Sequence, residues 1–140
     1  MNIDLELAKT ILREQGKVLV LVKDGYVLGT GERQGVADLL SLASQLGRQA
    51  QGAALADRVV GKAAAMVARS MGVSAIYARL ASETARQALG LEIPLEYEQL
   101  VPLILNRKGD GPCPLEKLVM TIDDPRQAVA ALQSFIASRS

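Results

Sequence analysis

The order of apolar and polar positions at the start of the chain predicts a helix followed by a hairpin. Across residues 4–15 the apolar side chains recur every three or four positions, which is typical of an amphipathic helix. Two extended, β-prone runs follow, at 18–22 and 26–28, with Asp24-Gly25 between them. Because Asp-Gly favours a two-residue turn, these runs predict an antiparallel hairpin.

The next stretch predicts a central helix. A second helical face spans 36–46, and residues 49–56 are small and polar, which indicates a connector. Residues 57–72 are then almost entirely apolar, with Asp57 as the expected N-cap and Gly72 as the expected stop. Such a helix must be packed on nearly every side, so we expect it at the centre of a layered α/β domain.

A strand, a helix and a second strand are predicted after the central helix. Residues 73–78 read as a short buried strand, and Ser82 and Gly90 bound a helix. Alternating apolar positions in 93–97 predict another strand, which Pro94 places towards a sheet edge. Strands joined by a helix are usually parallel, so together with the hairpin they predict a mixed sheet.

The last third of the chain predicts two helices separated by a loop. Residues 100–105 are expected to form a short helix with Pro102 in its first turn. Residues 106–116 contain two glycines and two prolines and predict a surface loop. Asp124, followed by Pro125, predicts the start of a final helix.

Composition restricts the class of protein more than its function. The 140 residues fit one domain, 1–140, with 49% hydrophobic and 22% charged residues, as in an ordinary globular protein. Sixteen basic and fifteen acidic residues give a formal charge of +1, and only three Tyr and one Phe are present, so we expect no nucleic-acid partner. The chain shows no leader and no membrane-spanning run, so a cytoplasmic protein, alone or as a small homo-oligomer, is expected.

The sequence contains no histidine, which excludes several kinds of site. It removes the commonest zinc ligand, the commonest general base and every Ser-His or Cys-His nucleophile arrangement. The single cysteine, Cys113, cannot form an internal disulfide.

Two predicted helix starts, at Asp57 and Ser82, are candidate anion sites, because free amides and the positive end of the helix dipole attract negative charge. The alternative is that both residues only cap their helices. Gly61-Lys62 resembles part of a phosphate loop, but alanine stands at the flanking positions that such a loop needs. The alternative for Lys62 is a solvated face, and the alternative for Gly61 is tight packing of its helix against the sheet.

The loop before the last helix offers a second candidate site. Cys113 precedes a predicted helix start and is the best available nucleophile, although Glu116 would disfavour its thiolate. The alternative is a partly buried thiol that only packs within the loop. Asn106 and Arg107 could bind a carboxylate or phosphate, or could anchor the loop to backbone carbonyls.

Several short motifs stand out along the chain: Val22-Lys23-Asp24-Gly25, residues 56–65, Ser82-Glu83, Asn106-Arg107 and Cys113-Pro114-Leu115-Glu116. Together they resemble the family catalogued as domain of unknown function 1893, small bacterial proteins described with a cytidine deaminase-like fold. The resemblance covers nearly the whole chain and implies a three-layer α/β/α sandwich with a mixed sheet. The family has no established activity.

The resemblance also permits a comparison with active deaminases, which hold zinc at the starts of two helices. In this sequence Val59 would stand at the first ligand, Gly61 at the proton-shuttling glutamate, and Ser82 and Ala85 at the paired cysteines. Zinc deamination needs three N or S ligands and a carboxylate. We therefore expect no metal ion, no cofactor and no zinc-dependent deaminase activity.

The leading hypothesis is a metal-free protein that binds a small anionic or nucleotide-like ligand on a deaminase-like fold. The resemblance, together with the candidate residues of the loop, predicts a pocket lined by Gly61, Lys62, Ser82, Glu83, Thr84, Asn106 and Arg107. One alternative is an enzyme of unidentified reaction that uses Cys113 with Asn106, Arg107 and Glu116. Another is an oligomeric scaffold without a ligand.

Overall fold

A mixed five-stranded sheet carries the helices in the computed structural model, which describes residues 2–139. The strands are β1 (Leu19–Lys23), β2 (Tyr26–Gly31), β3 (Ala54–Val60), β4 (Ala75–Ser82) and β5 (Leu95–Val101). The helices are α1 (Ile3–Glu14), α2 (Ala37–Leu46), α3 (Lys62–Met71), α4 (Glu83–Leu89), α5 (Pro114–Val119) and α6 (Pro125–Ser138), with a 3₁₀ turn at Gly47–Ala50.

The sheet has the strand order β2-β1-β3-β4-β5. Strand β1 pairs antiparallel with both β2 and β3, whereas β3, β4 and β5 are mutually parallel. Asp24 and Gly25 both have positive φ, at 53° and 81°, as a tight primed hairpin turn requires. The predicted hairpin and mixed sheet are thus confirmed.

Helices cover both faces of the sheet because apolar side chains alternate along the strands. On one face, Val20 and Val22 of β1 pack with Tyr77 of β4 against Leu5 and Leu12 of α1. On the other face, the intervening residues of the same strands pack against α2, α3, α4 and α6.

The central helix predicted from the apolar run is present as α3. Residues 63–68 are all buried, and the helix contacts α2, α4, α5 and α6. Its small alanine side chains let these neighbours approach closely. Gly72, with a left-handed φ of 75°, ends the helix as predicted.

The prediction that Asp57 caps this helix is wrong, and so is the prediction that 49–56 is only a connector. Residues 54–60 form β3, in which Asp57 pairs with Leu19 on one side and Ala78 on the other, and Gly61 is the N-cap of α3. Alanines have weak strand propensity and conceal the strand, and a short apolar run fits a helix or a buried strand equally well.

The short helix predicted at 100–105 is also wrong. Strand β5 continues to Val101, and the chain then runs without a helix to Leu105, which forms a β-bridge with Pro112. Pro102 disfavours a helical conformation in the residue before it, so Val101 stays extended.

The local signals for the other helices are confirmed. Ser82 caps α4, Gly90 ends it, and Asp124 caps α6 with Pro125 at its first position. Among residues 2–139, no helix is long and apolar enough to cross a membrane.

Candidate functional site

A cavity of about 870 Å³ lies where the parallel strands end. Val59 of β3, Leu80 of β4 and Val101 of β5 form one wall from three neighbouring strands. This is the edge at which open α/β sheets commonly bind ligands. The remaining lining comes from the start of β1, the turn before α2, the start of α3, the loop 102–107 and the segment 113–116.

Asp57 is a buried carboxyl group in this cavity and is only 4% exposed. Its Oδ1 atom accepts a long hydrogen bond of 3.4 Å from the amide of Val59. The neighbouring Arg58 side chain does not compensate the charge, because its guanidinium donates to the carbonyls of Lys17 and Gly16 at 2.9 and 3.0 Å. Burial therefore raises the pKa of Asp57 to about 8, against the opposing effect of the backbone amides.

The amino end of α3 holds the carboxylate of Glu116. The Lys62 amide donates to Oε1 at 2.6 Å and the Ala63 amide donates to Oε2 at 3.0 Å. Glu116 lies in α5, 54 residues beyond Lys62, and is itself buried. Burial raises its pKa, whereas these two amides and the charge of Lys62 oppose the rise.

Gly61 leaves room for this contact, and its backbone conformation does not itself favour glycine. Its φ of −97° is accessible to any residue. A Cβ atom at this position would lie 2.5 Å from Oε1 and 2.8 Å from Oε2 of Glu116. The close neighbour of Gly61 is thus a side chain of α5, whereas the alternative considered for this glycine was tight packing of a helix on the sheet.

The side chain of Lys62 turns away from the larger cavity. Its Nζ atom donates to the carbonyl of Met120 at 3.1 Å and lies 3.9 Å from Oδ1 of Asp123. Lys62 and Thr84 line a separate cavity of about 400 Å³, to which Glu116 also contributes.

Ser82 and Glu83 are occupied by contacts within the fold. Ser82 is fully buried, its Oγ atom accepts from the Ala85 amide at 3.0 Å, and it shares a hydrogen bond of 2.8 Å with the hydroxyl of Thr84. Glu83 forms an ion pair with Arg86 on the same helix. Neither residue lines the two cavities described above.

The loop candidates lie at the other side of the larger cavity. Asn106 accepts from the Gly109 amide at 2.8 Å and donates to Asp110 at 2.9 Å, so its side chain anchors the loop. Arg107 is exposed at the cavity, and Cys113 is half-buried in the wall. The Cys113 amide donates to the Ile104 carbonyl at 3.0 Å, which holds the segment in place.

A family model described as a domain of unknown function, DUF1893, matches residues 7–136. The chain belongs to the DUF1893 family. It is also similar to a solved structure, the crystal structure at 2.70 Å resolution of the DUF1893 family protein TM1506 from Thermotoga maritima. The sequence identity is 25%, the match covers 96% of this chain and 90% of that chain, and the TM-score is 0.87. No curated protein matches the chain.

The residues of this DUF1893 protein do not fit the zinc ion that the deaminase resemblance would imply. Val59 and Ala85 have apolar side chains, and the buried hydroxyl of Ser82 caps α4. Across the described part of the chain, no group of three or more Cys, Asp or Glu side chains could hold a metal ion.

The structure brings together only part of the predicted site. Gly61, Asn106, Arg107 and Cys113 line the larger cavity of the DUF1893 protein, Lys62 and Thr84 line the smaller one, and Ser82 and Glu83 line neither. The sequence pattern predicts Asp57 as a helix cap and therefore gives no indication of a carboxyl group in the cavity. A carboxylate inside a buried strand was the available signal.

Proposed function

We propose that this DUF1893 protein binds a small organic ligand in the larger cavity without a metal ion. The observation that carries the proposal is the buried Asp57 in a cavity of about 870 Å³ with mainly apolar walls. Ligand pockets commonly have volumes of roughly 300–1,000 Å³, apolar walls and a few polar groups. The cavity meets all three conditions and lies at the strand ends that open α/β sheets favour.

The start of α3 has few free hydrogen-bond donors that could bind an anionic ligand. Free helix amides attract anions, but here the Lys62 and Ala63 amides already donate to Glu116. An incoming phosphate or carboxylate would have to displace that side chain. The exposed Arg107 in the cavity lining is the group that could still pair with an anionic or nucleotide-like ligand.

The fold that holds this cavity is, in our proposal, cytidine deaminase-like. Two features support it. Helices α3 and α4 each begin directly after neighbouring parallel strands, β3 and β4, and pack against each other. Helices also cover both faces of the mixed sheet. On this fold the deaminase chemistry would be replaced by binding alone.

A ligand screen with two matched variants tests the proposed function. Compounds of differing charge and size are screened by thermal shift, because a ligand that binds only the folded state raises the unfolding midpoint. Val59→Trp places a large ring in the cavity wall, whereas Val27→Trp changes a similarly exposed valine, 47% against 44%, on the edge strand β2.

We expect the hits to lose their midpoint shift in Val59→Trp and to keep it in Val27→Trp. The proposal fails when no compound stabilises the wild-type protein, or when Val59→Trp keeps every shift.

A further inference from the structure

We infer that the ligand of the larger cavity carries a cationic nitrogen group, an amine, amidine or guanidine, which pairs with the carboxylate of Asp57. The inference rests on the proposed function, since it names the chemical class of the ligand for the same cavity. The charges around the cavity, their burial and the shape of its walls support it.

Five titratable or charged residues line the cavity: Asp57 on β3, Arg58 on β3, Arg107 and Cys113 on the loop after β5, and Glu116 on α5. The lining residues of β1, β4, β5 and the turn before α2 carry no charge. Both carboxyl groups are buried, at 4% and 5% exposure, whereas Arg107 is exposed. The cavity lining therefore includes two buried carboxyl groups, whereas Arg107 is accessible to solvent.

Arg58, the neighbour of Asp57 in the sequence, forms no ion pair with it. The Arg58 guanidinium donates to the carbonyls of Gly16 and Lys17, which lie between α1 and β1. Glu116 differs from Asp57, because two helix amides satisfy its carboxylate at 2.6 and 3.0 Å. A cation supplied by a ligand would therefore stabilise the ionised form of Asp57 more than that of Glu116.

A cationic group of the ligand beside Asp57 would displace the proton of the carboxyl group. The resulting carboxylate would then form an ion pair and hydrogen bonds with the ligand. An organic cation suits the site better than a metal ion, because apolar side chains such as Val59, Leu80 and Val101 would contact its carbon skeleton. An anion beside Asp57 would lie against a buried carboxyl group and would lose its hydration without a counter-ion.

Proton linkage gives the inference a specific signature. Burial raises the pKa of Asp57 to about 8, so the carboxyl group is mostly protonated near neutral pH. A cation that pairs with the carboxylate must displace this proton. Its affinity should therefore rise by up to about tenfold per pH unit below pH 8 and level off above it, with about one proton released per bound molecule near pH 6.

Three probes of the same shape test the inference: naphthalene-2-carboxamidine, the corresponding carboxamide and the corresponding carboxylate. Their affinities are measured calorimetrically at pH 6 and pH 8.5, in two buffers of different ionisation enthalpy. At pH 8.5 we expect the amidine to bind at least about tenfold more tightly than the amide, and the carboxylate to bind most weakly. Val59→Trp should abolish binding of the amidine, which locates it in the cavity.

Asp57→Asn keeps the size of the side chain and removes its charge. In this variant the preference for the amidine and the proton release should both disappear. The proton release of the wild-type protein needs no variant, so it tests the inference even when Asp57→Asn does not fold. The inference is overturned when the amide or carboxylate binds as tightly as the amidine, when none of the three probes binds, or when no proton is released.

These outcomes separate the inference from the proposed function. Cavity binding that favours a neutral or anionic probe overturns the inference and leaves the proposed function standing. A wild-type protein that no compound of the wider screen stabilises overturns the proposed function itself.

Discussion

The carboxylate of Glu116 occupies the space that a side chain on Gly61 would need. A Cβ atom at position 61 would lie 2.5 Å from Oε1, and the same carboxylate accepts the first two amides of α3. The N-cap of the central helix therefore has no side chain of its own, and its capping group comes from α5. One contact connects the start of α3, the position of α5 and one wall of the larger cavity.

Gly61→Ala should destabilise the protein by about 1–2 kcal/mol, because the added methyl group pushes the Glu116 carboxylate away from the helix amides. Urea unfolding measures the change. Gly111→Ala is the control: its Cβ atom would lie 3.8 Å from the Asn106 amide nitrogen, so a change within about 0.5 kcal/mol is expected.

In a Glu116→Ala background, Gly61→Ala should lower the free energy of unfolding much less than it does in the wild-type protein. A double-mutant cycle should therefore give a coupling energy of about 1 kcal/mol between the two positions. If the losses of unfolding free energy from Gly61→Ala and Glu116→Ala simply add, position 61 does not contact the Glu116 carboxylate.

Glu116→Ala alone should lower the free energy of unfolding by about 1–3 kcal/mol, because two buried amides lose a charged acceptor. Glu116→Gln retains one carbonyl oxygen and should lose less. Glu98→Gln, on the exposed edge strand β5, serves as the control and should change stability by less than about 0.5 kcal/mol. Equal losses for Glu116→Gln and Glu98→Gln would show that the carboxylate does not cap α3.

Asp57→Asn should change the pH dependence of stability. The pKa of Asp57 is raised from 3.8 to about 8 on folding, so the folded state binds the proton more tightly than the unfolded state. The stabilising contribution is fully present below about pH 4 and is lost as pH rises towards 8, by up to about 1.4 kcal/mol per pH unit.

Denaturant unfolding between pH 4 and pH 9 measures this effect as the difference between wild-type protein and Asp57→Asn. The variant should gain relative stability as pH rises. A difference that stays constant with pH would show that Asp57 titrates normally. The raised pKa of Glu116 acts in the same direction in both proteins and cancels in the difference.

Cys113 should report whether the larger cavity is occupied. Its thiol is the single cysteine of the chain and is half-buried in the cavity wall. A saturating compound from the screen should slow alkylation by iodoacetamide at least about threefold, measured by mass spectrometry. Protein unfolded in urea should show no such protection.

Cys113→Ser should keep its binding of the same compound, because the proposed binding depends on Asp57 and the apolar walls rather than on the thiol. Loss of binding with an unchanged unfolding midpoint would favour the alternative in which Cys113 is a reactive group.

Local chemistry made much of the fold predictable. The Asp24-Gly25 turn, the Ser82 cap and the Asp124-Pro125 helix start depend on residues within a few positions of each other, and all three are present. Strand β3 was missed because its alanines are buried by neighbours on both sides, and such burial depends on tertiary contacts.

The candidate site was less predictable than the fold. The sequence indicated that Gly61 was unusual, but the reason is a side chain from α5, far along the chain. The sequence suggests a role for Glu116 only near Cys113, which lies three residues before it, and the contact with Gly61 leaves no periodic signal. The role of Asp57 likewise depended on recognising a strand that propensity conceals.

We expect positions 61 and 116 to change together in evolution, because a side chain at the first would meet the carboxylate at the second. A lineage that acquires a side chain at position 61 must shorten or redirect the one at position 116 at the same step, or lose stability in between. Relatives with a residue larger than glycine at the first position should therefore lack glutamate at the second, and the start of their central helix should be free to hold a different anion.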